Sequence, residues 1–136
     1  MAMRYENLEH TADVMIKAYG SNLQECFQNA AFGMMDQILN ASSVKPLVEE
    51  SFTVEAETME DLLYNFLSEV LFIFDAKRLA LNDFDVRFDG LKIHCRAKGE
   101  RFDRERHGPK QEIKAVTYHM LQVNEAEPSV TVIFDV

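Results

Sequence analysis

The chain has 136 residues, 47% of them hydrophobic and 27% charged, with a formal net charge of −9. That size fits one globular domain with a real core, and the acidic balance argues against holding nucleic acid by simple phosphate attraction. No segment approaches the 18 or so consecutive apolar residues of a membrane span, and the start Met-Ala-Met-Arg-Tyr-Glu-Asn lacks the apolar stretch of a secretory signal.

From Asp13 to Gly20 the sequence alternates, with Val14, Ile16 and Ala18 on one side and Met15, Lys17 and Tyr19 on the other, which predicts a strand. Ser21 followed by Gln24 reads as a capping box. Leu23, Phe27, Ala30, Ala31, Met34 and Ile38 then recur at helical spacing, so a first helix is expected over 22–39. Ser42, Ser43 and Pro46 mark a loop. Phe52, Val54 and Ala56 alternate with polar residues as a second, half-exposed strand. Thr58, with Asp61 at the box position, caps a second helix whose wide apolar face runs from Leu62 to Phe74. Lys77 and Arg78 suit its C-terminal end.

Phe84, Val86 and Phe88 predict a third strand, and Asp89-Gly90 a tight hairpin turn into a fourth, Leu91 to Ala97. Residues 99–112 hold Gly99, Gly108, Pro109 and many charges, and are expected as a loop. Ile113 to Val123 fits both periods; a short helical turn running into a strand satisfies both. Glu125 to Pro128 turns the chain, and Val130, Val132 and Phe134 end it as a strand. The expected fold is α+β: one domain over 1–136, with two helices on one face of a mixed, mostly antiparallel sheet of about six strands.

Charge and chemistry concentrate in a few places. Leu91 to His119 carries eight Lys/Arg against four Asp/Glu. Such a basic segment on an acidic body is either a partner-facing surface or a solvated strand and loop. His10-Thr11-Ala12-Asp13 is a polar cluster leading into a strand, readable as a turn in which Thr11 or Asp13 caps backbone amides. Asp135 precedes Val136; with Val136 as the chain end, two carboxylates stand one residue apart, an arrangement relieved by a cation between them, and oxygen donors suit hard ions. Arg101 to His107 alternates in charge sign, which reads as a self-paired loop or a docking loop. Lys114 and His119 are too loosely spaced to specify a site. Cys26 and Cys95 lie far apart and form neither a metal pair nor a disulfide framework, so reduced core thiols in a cytoplasmic protein are expected. Phosphate-cradling loops, nucleophile elbows, HExxH and CxxC are absent.

Taken together, the stretches Tyr5 to Asp13, Asp61 to Glu69, Gly99 to Asp103 with Arg106-His107, Ile113 to His119, and Phe134-Asp135-Val136 resemble the archease family over essentially the whole chain. The resemblance implies a non-catalytic protein that activates an RtcB-type RNA ligase in tRNA splicing or RNA repair, promoting ligase guanylylation and multiple turnover. It also implies a divalent metal site, best described with Ca²⁺ (Mg²⁺ or Mn²⁺ being alternatives), at Asp13, Asp135 and Val136. The family's functional lysine matches Lys114. His10, Arg101, Arg106, His107 and His119 lie in the matched stretches and are expected to serve the partner contact. Stable direct binding of nucleic acid is not expected, nor is a membrane. Two other readings stay open: a chaperone or specificity modulator of a tRNA methyltransferase or another RNA-processing enzyme, and a metal-dependent hydrolase built on Asp13, Asp135 and His119. The hydrolase lacks an evident general base.

Overall fold

The computed structural model describes residues 3–8 and 13–136. In chain order the elements are β1 (Tyr5–Leu8), β2 (Val14–Tyr19), α1 (Leu23–Ile38), a 3₁₀ turn (Ala41–Ser43), β3 (Val48–Glu55), α2 (Met59–Lys77), β4 (Leu79–Asp89), β5 (Lys92–Arg101), the short α3 (Arg104–His107), β6 (Ala115–Val116), β7 (Gln122–Asn124) and β8 (Ser129–Asp135). The fold is α+β, but the strands form two sheets rather than the single mixed sheet expected from sequence. One runs β1-β2-β8-β6 with β7 also paired to β8, and the other runs β3-β5-β4. All these pairings are antiparallel.

Both long helices pack against strands of both sheets, so one continuous core fills the space between them. Its centre is aromatic. Phe27 of α1 meets Phe66 of α2 at 6.0 Å and Phe88 of β4 at 5.1 Å, and Phe66 also packs on Phe52 and Phe84. Burying each such ring contributes on the order of 1.5–3 kcal/mol. The α2 face Leu62, Leu63, Phe66, Leu67, Val70, Leu71 and Phe74 is buried as its spacing predicts. No helix among the described residues is long and apolar enough to cross a membrane.

The ends of the elements show where local chemistry decides. Thr58 accepts the Asp61 N–H at 3.1 Å, as its box predicts. At α1 the cap is Asn22, not Ser21. The Asn22 side chain accepts from the Glu25 N–H at 2.9 Å, while Glu25 reaches back to the Ser21 N–H at 3.0 Å. The box is therefore shifted by one residue, because Asn is at least as good a cap as Ser and Glu25 can return the bond. The hairpin turns at Gly90 with φ +59. The segment expected as a helical turn after Ile113 is instead extended as β6. The Ile133 carbonyl accepts both the Thr117 N–H (3.1 Å) and the Thr117 hydroxyl (2.9 Å). A helix there would leave that edge of β8 unpaired.

β5 runs on past Ala97 to Arg101, into the stretch expected as a loop. At Gly99 the neighbouring strand comes so close that an added Cβ would lie 1.9 Å from the Ala80 carbonyl oxygen. Gly99→Ala is therefore expected to lower stability by roughly 1–3 kcal/mol through overpacking, read as a drop in the urea midpoint. An unchanged midpoint would contradict this close approach.

Candidate functional site

Hydrophobic alternation sets the register of β2 against β8. Ile16 and Ala18 of β2, and Val130, Val132 and Phe134 of β8, are buried in the common core. The register pairs Val14 with Phe134, Ile16 with Val132 and Ala18 with Val130. A slip of one residue would turn this set out of the core. Just beyond the Val14–Phe134 pair, the next residue on one chain segment is Asp13, partly buried, and on the other Asp135, exposed. Like charges brought side by side at a sheet end repel, and the donors are all oxygen.

The other edge of β8 carries the lysine. Ala115 pairs with Asp135, and the Lys114 N–H donates to the Asp135 carbonyl at 2.7 Å. The fold thus brings Asp13, Asp135 and the exposed Lys114 to one end of three adjacent segments, with Val136 following and packed in part against the core. His10 lies outside the described residues. His119 is exposed in the turn between β6 and β7. Its neighbour Tyr118 stacks on Tyr64 of α2, centroids 4.1 Å apart and planes at 10°. Burial, then a hydrogen bond to Asp61, push the Tyr118 hydroxyl above its ordinary value. Among the described residues no group of three or more His, Cys, Asp or Glu side chains gathers as a metal cage.

Arg106 and His107 both meet Glu100, but Arg106 stays exposed while His107 is buried, away from the surface role expected of it. The Glu100 carboxylate is 5% exposed and accepts both arms of the Arg106 guanidinium at 2.7 Å and the Lys45 N–H at 2.7 Å. The Nδ1 of His107 accepts the Asp103 N–H at 2.9 Å, so the hydrogen-bond pattern assigns its proton to Nε2, 3.1 Å from Glu100 Oε2. His107 is wholly buried and cannot itself touch a partner in this arrangement. Arg101 is exposed. The Arg106 guanidinium, helped by the Lys45 amide and His107, holds the Glu100 carboxyl well below the usual carboxylate range.

Much of the basic segment is neutralised within the second sheet. On β5, Lys92 lies between Asp89 and Glu55, Arg96 opposite Asp85, and Lys98 between Asp83 and Glu49; Arg96 also reaches Glu49 at 3.2 Å. For this stretch the solvated-strand reading holds. Both cysteines are buried, and burial pushes Cys26 up to about 11 and Cys95 up to about 12.

Two features escaped sequence reasoning. Glu100 falls on the polar positions of the β5 alternation, so nothing in the sequence pattern marks it as buried. Asp36 accepts from the Tyr5 hydroxyl (2.7 Å) and the Ala41 N–H (3.1 Å), tying β1 to α1. Burial and then Asp36 push Tyr5 well above its ordinary value.

The fold and this geometry define a small α+β protein that presents two carboxylates and a lysine at the shared end of its central strands. The sequence pattern of the archease protein family matches residues 5–136. The protein archease of Pyrococcus abyssi is 41% identical over 126 residues, spanning 90% of this chain and 89% of that one. The archease-like protein of Drosophila melanogaster is 38% identical over 129 residues, spanning 89% and 80%. The chain belongs to the archease family. The solution structure of a Methanobacterium thermoautotrophicum protein, 34% identical, matches with a TM-score of 0.84 over 98% of this chain and 99% of that one. A Thermotoga maritima archease, described as a possible chaperone, shares the fold at a TM-score of 0.65 and 20% identity, over 100% and 99%.

The Glu100 node predicts an acid dependence of stability. Because the carboxyl is lowered on folding, the unfolded chain takes up the proton first. Its stabilising contribution is complete above the unfolded value of 4.5 and is lost as pH falls from there toward the folded value. In Glu100→Gln, the decline of the urea midpoint below pH 4.5 should be shallower than in the parent. Parallel declines would remove Glu100 from the acid response.

Proposed function

We propose that this chain is a non-catalytic, metal-dependent activator of an RtcB-type RNA ligase, promoting guanylylation of the ligase and its multiple turnover. The observation that supports this best is the pairing of β2 with β8, which carries Asp13 and Asp135 to one end of the sheet beside Lys114. Membership of the archease family supports it independently.

The donor chemistry fits a hard divalent cation. Two carboxylates from neighbouring segments give charged oxygen ligands, and Ca²⁺ and Mg²⁺ both prefer oxygen. Asp13 and Asp135 would hold the ion, with oxygen from Val136 and solvent completing its sphere. When bound, the ion supplies charge neutralisation near phosphate groups. The chain's own contribution is positional. The β8 register holds Asp135, the β2 register brings Asp13 to it, and the Lys114 backbone is fixed to Asp135 so that its ammonium stands at the same end as a point charge for phosphate or a partner carboxylate.

The test mixes substoichiometric protein with the RtcB-type ligase of the same organism, labelled GTP and Mn²⁺, and reads the rate of ligase–GMP formation and the number of joins per ligase. The parent protein should accelerate both. Asp13→Ala should reduce the acceleration on the order of tenfold or more, the scale set by disturbed metal sites, with its thermal unfolding unchanged. No acceleration by the parent with an otherwise active ligase would overturn the reading and favour a chaperone of another RNA-processing enzyme.

A further inference from the structure

The cations of the basic segment and its surroundings are mostly spent inside the molecule. Arg106 is held by Glu100, Lys110 donates to the Asp36 carbonyl at 2.9 Å, and the β5 cations face acidic strands. Arg78 and Arg104 are different. Among the described residues neither makes an ion pair within 4.0 Å, although the Arg78 charge acts on the nearby Asp75, and both line, with Lys110, the same cavity of about 380 Å³ between the end of α2 and the chain after α3. That volume lies within the range of small ligand pockets.

Arg78 is also held in an unusual way. It caps α2 in the left-handed conformation, φ 54 and ψ 38, a position where glycine is the common choice. A long side chain there carries a backbone cost, and such outliers gather where the side chain is needed. Its carbonyl accepts the Phe102 N–H at 2.8 Å. Its guanidinium lies 4.7 Å from the Phe74 ring centroid and 5.2 Å from that of Phe102. Contact with the two rings leaves the in-plane N–H groups uncommitted, the geometry that suits a carboxylate or phosphate fork. The rest of the cavity is mixed. Ile38 and Ile113 give it apolar wall, while Asp75 and Glu112 also line it.

We propose that this cavity docks a short segment of a partner protein in which an apolar side chain is followed by an acidic one. The carboxylate seats on Arg78 and Arg104, and the apolar group lies against Phe102 and Ile113. Asp75 and Glu112 decide between anions. A single carboxylate calls on the two guanidiniums alone, whereas a run of phosphates would be pressed against two acidic groups, on a chain whose net charge is already −9. This site is separate from the Asp13–Asp135 end and does not depend on which enzyme the protein serves.

The experiment uses the whole chain, ¹⁵N-labelled, titrated with acetyl-Leu-Phe-Asp-amide, with its neutral twin acetyl-Leu-Phe-Asn-amide, and with hexauridylate. The acidic peptide should give saturable shifts confined to the amides of Phe102, Gln111 and Ile113 and the Arg78 side chain, at roughly millimolar affinity for so small a probe. The neutral twin should bind about five- to tenfold more weakly, the worth of a hydrogen bond to a charged group. Arg104→Gln, on an exposed turn, should weaken the acidic peptide by a similar factor without changing the unfolding midpoint. Arg78→Gln should weaken it at least as much. Absence of localised shifts, equal binding of the twin, or an undiminished Arg104→Gln would overturn the proposal. So would hexauridylate moving the same signals at lower concentration, which would make the cavity a nucleic-acid site.

Discussion

Strand β8 lies between β2 on one edge and β6 and β7 on the other, and every residue from Ser129 to Phe134 is buried. A strand hydrogen-bonded on both edges and covered on both faces has no freedom to slip, because a shift of one position would replace Val130, Val132 and Phe134 in the core by Ser129, Thr131 and Ile133 and break both ladders at once. The placement of Asp135 follows from this, since it is the first exposed residue after the buried run. The placements of Asp13 and Lys114 follow from Asp135, through the β2 register and the backbone bond from Lys114. The candidate site is thus a consequence of core packing carried to the end of a sheet.

The distribution of charge gives this end its character. Several of the protein's cations are matched locally. β5 is flanked by carboxylates on both sides, and Glu100 gathers Arg106, His107 and the Lys45 amide into one buried node. Removing one partner from such a node leaves the buried Glu100 and His107 unmatched, so these two serve the fold. Two groupings stand apart from these matched pairs: the carboxylates of Asp13 and Asp135 at the β2–β8 end, and Arg78 and Arg104 at the cavity beside α2. Each grouping suits an ion or group of opposite sign.

The sequence made local features legible and long-range ones conditional. The apolar face of α2, its Thr58 cap and the Asp89-Gly90 turn each follow from a few neighbouring residues, and each stands as expected. The cap of α1 moved by one residue because Ser21 and Asn22 are both competent, and Glu25 decided between them. The segment after Ile113 has a pattern that suits either period, and only the open edge of β8, remote in sequence, draws it into a strand. The division into two sheets was hidden for the same reason: alternation reveals a strand without naming its neighbour. Asp13 and Asp135 are each visible as polar residues bordering an apolar run, but their placement at one end of a sheet requires β2 and β8 to pair. Glu100 and His107 were the reverse case. Their residue types suggest an exposed, functional loop, and burial against Arg106 and Asp103 makes them part of the framework.

Calcium titration calorimetry on the parent, Asp13→Ala, Asp135→Ala and the double variant tests most directly whether the two carboxylates act as one cation site. The account predicts one site per chain in the parent, comparable loss in each single variant, and no further loss in the double, since removing either ligand already dismantles the shared site. Calcium binding that survives in both single variants, or losses that simply add, would contradict it.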